Sequence, residues 1–231
     1  MKRDFRSYFN SAIAYVLIGL FMLICGLIFN GMLSYGSSDI ISSFVNSMSG
    51  LLLFIIPILT MKTMAEDKKN GTEVLLLTSP ARVTDIVLGK FLAAFDVFLI
   101  MTAFSLIFPL IVIISGKPDI PLFISSYLGF ILMGAVYIAV GVFASSLTEN
   151  QIVAAIISLV SIFVLSNIEY IAHFFSGFMN KVLTWLAITA RYDDFGKGII
   201  DITSVIFMIS FAAVFIFLTI RVVERKRWSQ G

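Results

Sequence analysis

Few side chains in this sequence could do chemistry, and those that could stand far apart. Glu169 and His173 are four residues apart, one helical turn, a spacing that suits metal ligation or a proton relay. Two ligands do not make a metal site, and a polar pair at the end of an apolar segment is the plainer reading. His173 is the only histidine, which leaves no Ser/His/Asp or Cys/His arrangement. Cys25 is the single cysteine and lies in an apolar run, so neither an intrachain disulfide nor a cysteine-based metal site can form. No G-x-x-x-x-G-K-S/T phosphate loop is present, and Gly89-Lys90 belongs to nothing longer. The chain is expected to hold no cofactor and to hydrolyse no ATP. Energy for any work must come from a partner or an ion gradient.

Two ionisable residues lie where they are costly. Asp96 falls about ten residues into a long apolar segment, where such groups normally face protein or water. Lys90 precedes it by six residues, about 9 Å along a helix axis, too far for a direct pair but not for a water-linked one. A structural polar contact, a place on a pathway and an interfacial position all remain open for this pair.

The elements that carry these residues are set by composition. Of 231 residues, 59% are hydrophobic and 13% charged, and 23 are Phe. Soluble domains run at about 45–50% apolar and about 25% charged. A bilayer can hide such a surface and water cannot. The net charge of +2 gives nucleic-acid binding no support. A helix needs about 20 apolar residues to cross the hydrocarbon. Six segments qualify: Ile13–Leu33, Met48–Ala65, Ile86–Ile114, Leu122–Leu147, Gln151–Ile171 and Ile202–Val223. The first is too long for the apolar part of a signal peptide, about 7–15 residues, and reads as a retained span. The third is long enough to tilt. Pro57 and Pro109 fall within spans two and three, where each removes a backbone donor and can kink its helix. No fixed-period repeat appears, so residues 1–231 are expected to form one all-α integral membrane domain.

Lys and Arg in the flanks set the orientation. Twelve of the 16 basic residues fall on one side, among them Lys2, Arg3, Arg6, Lys62, Lys68, Lys69, Arg82, Lys90 and Arg221. Lys117, Lys181, Arg191 and Lys197 fall on the other. The richer side is read as the cytoplasm, with both termini inside and the chain in the inner, cytoplasmic membrane. From Lys2 to Ser11 basic residues mix with Phe5, Tyr8 and Phe9, which predicts an interfacial helix lying on the membrane before the first span. Trp228 is expected at headgroup level.

Two connections are not ordinary loops. After the second span comes MKTMAEDKKNGTEVLLLTSPARVTDIVLGKF. Asn70-Gly71 signals a turn, Thr72 can cap a helix with Glu73 in its first turn, and Val74, Leu75, Leu76 and Leu77 follow until Pro80 stops it. Asp85 can cap the start of the third span. So short a helix needs a partner surface, either the bilayer or a protein. In the second case Glu66, Asp67, Lys68, Lys69, Glu73 and Arg82 would set orientation while the leucines fill a groove. The other connection, Ala172–Asp201, is too apolar to be solvated. Phe174, Phe175, Phe178, Val182, Leu183, Trp185, Leu186 and Ile188 predict one or two short helices dipping into the outer leaflet or lying on it.

AEDKKNGTEVLLLTSPARVTDIVLGKF resembles the coupling-helix region of ABC-2 type permeases, the membrane subunits of ATP-driven transporters. RDFRSYFNSAIAYVLIGLF and GVFASSLTENQIVAAI look like the same family, closest to its gliding-motility-associated GldF type, and the resemblance covers nearly the whole chain. Ala12 departs from the proline that relatives often carry after the N-terminal Ser. The resemblance implies a dimer of six-span subunits, with a second copy or a related permease. It implies a coupling helix (Glu66, Gly71, Thr72, Glu73, Leu75, Leu76, Leu77, Pro80, Arg82) docked on a separate ABC ATPase that binds ATP and Mg, and often a membrane-anchored auxiliary protein. It also implies external helices that roof the dimer interface. The motility role is not carried over. The function expected is a permease subunit, in all expectation an exporter. Two rivals stand beside it. An ion-driven carrier would need acidic residues deep in several spans and often inverted repeats, and only Asp96 qualifies. A non-transporting component of an envelope or motility assembly would need no polar cavity.

Overall fold

The structure, a computed structural model, describes residues 7–9, 12–35, 40–72, 82–115 and 119–229. All regular elements among them are helices: α1 (Ala12–Tyr35), α2 (Ile40–Thr60), α3 (Ala65–Lys69), α4 (Val83–Ser105), α5 (Ile107–Ser115), α6 (Ile120–Leu147), α7 (Gln151–Ser166), α8 (Ile168–Ala172), α9 (Phe178–Leu186), α10 (Ile188–Gly196) and α11 (Ile202–Ser229). Residues 7–9 are helical as well, and Tyr8 Oη donates to the Leu59 carbonyl at 3.0 Å. The rest of the expected interfacial helix lies outside the described residues.

Five helical stretches are long and apolar enough to cross a membrane: Ala14–Ser34, Ile40–Lys69, Val83–Ile114, Ile120–Leu147 and Ile202–Arg225. The expected fifth segment is divided. α7 has 16 residues, ends at Asn167, and α8 continues for 5. The second span starts at Ile40, eight residues before the expected Met48. Ser42, Ser43, Asn46 and Ser47 precede the expected start, and a helix tolerates a hydroxyl that finds an acceptor within it, as those of Ser47 and Ser49 do. Ser47 Oγ donates to the Ser43 carbonyl at 2.9 Å and Ser49 Oγ to the Asn46 carbonyl at 2.6 Å. The long third segment breaks at Leu106. Pro109 lies in the first turn of α5, where its missing N–H has no helical partner to lose.

α6 is the central rod. Phe130, Val136, Tyr137 and Ile138 on it are fully buried against Phe44, Met48, Leu52 and Ile56 of α2 and Phe98 and Met101 of α4. Three glycines let partners come close. A Cβ at Gly129 would run into Phe195 of α10, one at Gly134 into Phe98 of α4, and one at Gly141 into Thr60 of α2. Small residues at helix contacts are how spans pack where lipid supplies no hydrophobic drive between them. Four hydroxyls inside the bundle are paired one turn back: Thr60 to the Ile56 carbonyl, Thr102 to Phe98, Ser166 to Ile162 and Thr219 to Phe215, each at 2.8–2.9 Å, whereas those of Ser125, Ser126, Ser158 and Ser204 are buried with no hydrogen bond among the described residues.

The outward faces are apolar. Leu23 and Leu27 of α1, Ile152 and Ile156 of α7 and Ile202 and Ile206 of α11 are all more than half exposed. A surface of this kind on several sides needs a lipid solvent. At the end of the bundle where α2 begins, the expected short helices are α9 and α10. They behave differently: α9 buries none of its residues, while Ile188, Tyr192 and Phe195 of α10 are buried against the bundle. Phe174, Phe178 and Trp185 stay exposed, and Ile188 does not share their face.

Candidate functional site

The densest polar construction among the described residues lies at the opposite end, where α2 runs out into the 61–72 segment. α2 stops at Thr60, three residues after Pro57, and the chain turns through residues 61–64 into the five-residue α3. A helix this short cannot satisfy its own first-turn N–H groups. Ser145, near the end of α6, serves them from outside: its Oγ accepts from the backbone N–H of Met64 and of Ala65, each at 3.0 Å, and donates to the Met61 carbonyl at 3.1 Å. Lys68 Nζ donates to the Ser146 carbonyl. This places an ammonium at the C-terminus of α6, where the helix dipole favours a cation.

Lys90 of α4 closes the construction from the other side. Its Nζ pairs with the Asp67 carboxylate and donates to the Thr63 carbonyl. The Lys90 side chain is 7% exposed and that of Asp67 22%. An ammonium so far from water is tolerable only when paired and hydrogen-bonded. Thr72 Oγ1 donates to Asp67 Oδ1 at 2.9 Å and contacts the Asp67 carbonyl at 3.2 Å. Between them α3 ends on backbone bonds from Asn70 N–H to the Glu66 carbonyl and from Gly71 N–H to Lys68. Gly71 sits at φ 68°, the left-handed region that glycine enters without penalty. A small apolar cluster lies alongside, with Met64, Val83, Val87 and Val223 buried against Ile216 and Ile220. The root of the loop is thus fixed to α2, α4, α6 and α11 at once.

A polar groove of about 460 Å³ flanks this root, lined by Lys69, Glu149, Asn150, Gln151 and Ile152. Asn150 caps α7 there, its Oδ1 accepting from Ile152 N–H at 2.9 Å and from Val153 N–H at 3.5 Å.

Of the residues expected at the site, Glu66, Gly71, Thr72, Arg82 and Lys90 converge on this end. Glu66 is half-buried, and Arg82 is exposed just before α4, with no side-chain cap bond. Glu73, Leu75, Leu76, Leu77 and Pro80 lie outside the described residues. Thr72 turns back to Asp67. Lys90 and Asp96 do not form a pair, since Lys90 reaches the loop. Asp96 is half-buried, and among the described residues no hydrogen bond or ion pair reaches it. Glu169 is half-buried and His173 exposed, and no group of three potential metal ligands occurs among the described residues. Sequence reasoning missed Ser145, Ser146 and Thr63. The segment GVFASSLTENQ carried the first two, but nothing local marks them as the loop's acceptors.

The chain matches, over residues 32–221, the family described as ABC-2 family transporter protein. No curated protein matches it.

Proposed function

The chain belongs to the ABC-2 transporter family, and from that premise we propose that it is the permease subunit of an ABC exporter, driven through its 66–82 loop by a separate ATPase subunit. ATP and Mg would be bound by that ATPase. The loop end faces the cytoplasm in this reading, as the basic flanks require, with six crossings and both termini inside. α7 and α8 together make the fifth crossing. A second copy or a related permease completes the pathway.

The observation that supports this reading best is the clamp on the loop root. A docking element transmits force only if its base is stiff. Here a push on the loop reaches α2 through the chain, α6 through Ser145 and Ser146, and α4 through the Lys90–Asp67 pair. A loop that merely rested on lipid would need none of these bonds. The leucines at 75–77 are the part offered to the ATPase.

The test is co-purification of the chain with the ATPase and measurement of ATP turnover. Leu75→Asp with Leu76→Asp should abolish co-purification and return turnover to that of the ATPase alone. Full binding by the doubly substituted chain would refute the docking reading. One observation favours an ion-driven carrier instead, the carboxylate of Asp96 without a partner. Substrate movement by the chain in vesicles without any ATPase would decide for that alternative.

A further inference from the structure

The end of the bundle remote from the loop carries a second groove, of about 210 Å³, between the first two turns of α2 and the C-terminal half of α10. Ser42, Ser43 and Asn46 line it from α2, and Tyr192, Asp193 and Lys197 from α10 and its cap. Tyr192 forms a fixed floor. It is buried, and its Oη donates to the Val45 carbonyl at 3.3 Å. Burial pushes its phenol well above the ordinary value, so it keeps its proton and that bond.

The other polar groups are left open. The side chains of Ser42, Ser43, Asn46, Asp193 and Lys197 make no hydrogen bond or ion pair among the described residues. Asp193 and Lys197 stand one turn apart, about 5–6 Å between Cβ atoms at this spacing. They nevertheless do not pair with each other. Both side chains are exposed, and an anion and a cation that leave each other free at one small groove fit a ligand that brings both charges. The hydroxyls and the amide beside them add donors suited to an oxyanion.

The position narrows the class. Ser42 to Asn46 fall in the first two turns of a helix long and apolar enough to cross a membrane, and a crossing of about 20 residues would set them at the depth of lipid headgroups. Below them on the same face of α2 come Gly50, exposed, and Phe54, 58% exposed, at steps of four residues. A polar head above an apolar track is the shape of an amphiphile. The volume lies below that of pockets for whole drug-sized molecules, about 300–1,000 Å³, and suits a headgroup alone.

We propose that this groove is a binding site for the headgroup of a zwitterionic aminophospholipid. Lys197, Ser42, Ser43 and Asn46 hold the phosphate, Asp193 takes the ammonium, and the acyl chains run along Gly50 and Phe54. This holds whether or not the loop at the other end docks on an ATPase.

The experiment is native mass spectrometry of the full chain in detergent, titrated separately with a phosphatidylethanolamine, a phosphatidylglycerol and free O-phosphoethanolamine. The expected result is retention of phosphatidylethanolamine over phosphatidylglycerol, with free O-phosphoethanolamine failing to displace it. Asp193→Asn should weaken phosphatidylethanolamine about tenfold, the worth of one charge-assisted contact, and leave phosphatidylglycerol unchanged. Lys197→Gln should weaken both. Ser43→Ala, a change too mild to disturb folding, should weaken both by a smaller factor. Equal retention of the two lipids, unaltered by every variant, overturns the proposal. Displacement by free O-phosphoethanolamine overturns the lipid source in favour of a soluble ligand. Conversion of a dimer to monomers by these variants, with lipid retention unchanged, would assign the groove to a second copy of the chain and overturn it too.

Discussion

The two ends of the bundle handle polar groups in opposite ways. At the loop end Lys90 is paired with Asp67, Lys68 with the end of α6, and Ser145 makes three bonds to a five-residue segment. At the other end Asp193, Lys197 and Asn46 line a groove with no partner among the described residues. One end is cross-linked by bonds between four elements, α3, α4, α6 and the turn at 61–64. The other keeps its charges available to something that arrives. The difference in polar bonding teaches which end is internally fixed and which leaves its charged side chains open.

Three substitutions would break or sharpen this contrast. The largest effect is expected from Lys90→Met, which leaves the Asp67 carboxylate unpaired at the loop root. Removing one partner of a buried pair costs about 3–5 kcal/mol, and the lower value applies because Asp67 keeps the Thr72 hydroxyl on its other oxygen. The thermal midpoint in detergent should fall, and Lys90→Met combined with Asp67→Leu should recover much of the loss. No recovery in that cycle would mean the pair is not a unit. Next comes Ser145→Ala, which strands the N–H groups of Met64 and Ala65 and should cost about 1–3 kcal/mol. Amide exchange at residues 64 and 65 would rise ahead of the rest of the chain. The smallest effect on stability belongs to Asp193→Asn. With no bond to lose, it should change unfolding by less than about 0.5 kcal/mol. A fall as large as that of Ser145→Ala would erase the distinction between the ends.

Much of the fold was legible because a bilayer imposes length and polarity in one dimension. Apolar runs near 20 residues marked five stretches that the structure makes long and apolar enough to cross a membrane, while the sixth expected one, Gln151–Ile171, is divided, and Asn70-Gly71 gave a turn that the φ of Gly71 bears out. What local pattern could not supply is pairing across the bundle. Lys90 meets Asp67 from another helix, and Ser145 meets Met64 across 81 positions. The early start of α2 is hidden in the sequence because serine and asparagine read as loop, and only the structure shows the hydroxyls of Ser47 and Ser49 bonding backward. The three glycines of α6 look alike in sequence, and only the ring or hydroxyl facing each one shows its use.

The hydroxyls of Thr60, Thr102, Ser166 and Thr219 each find an acceptor in the preceding turn of their own helix. A hydroxyl so paired needs no neighbouring helix to mask it when its span enters the bilayer. Biogenesis can then proceed in two stages, insertion first and assembly afterwards. The bonds of Ser145, Lys68 and Lys90 join different helices and must wait for the assembled bundle, so the loop root sets only in the second stage.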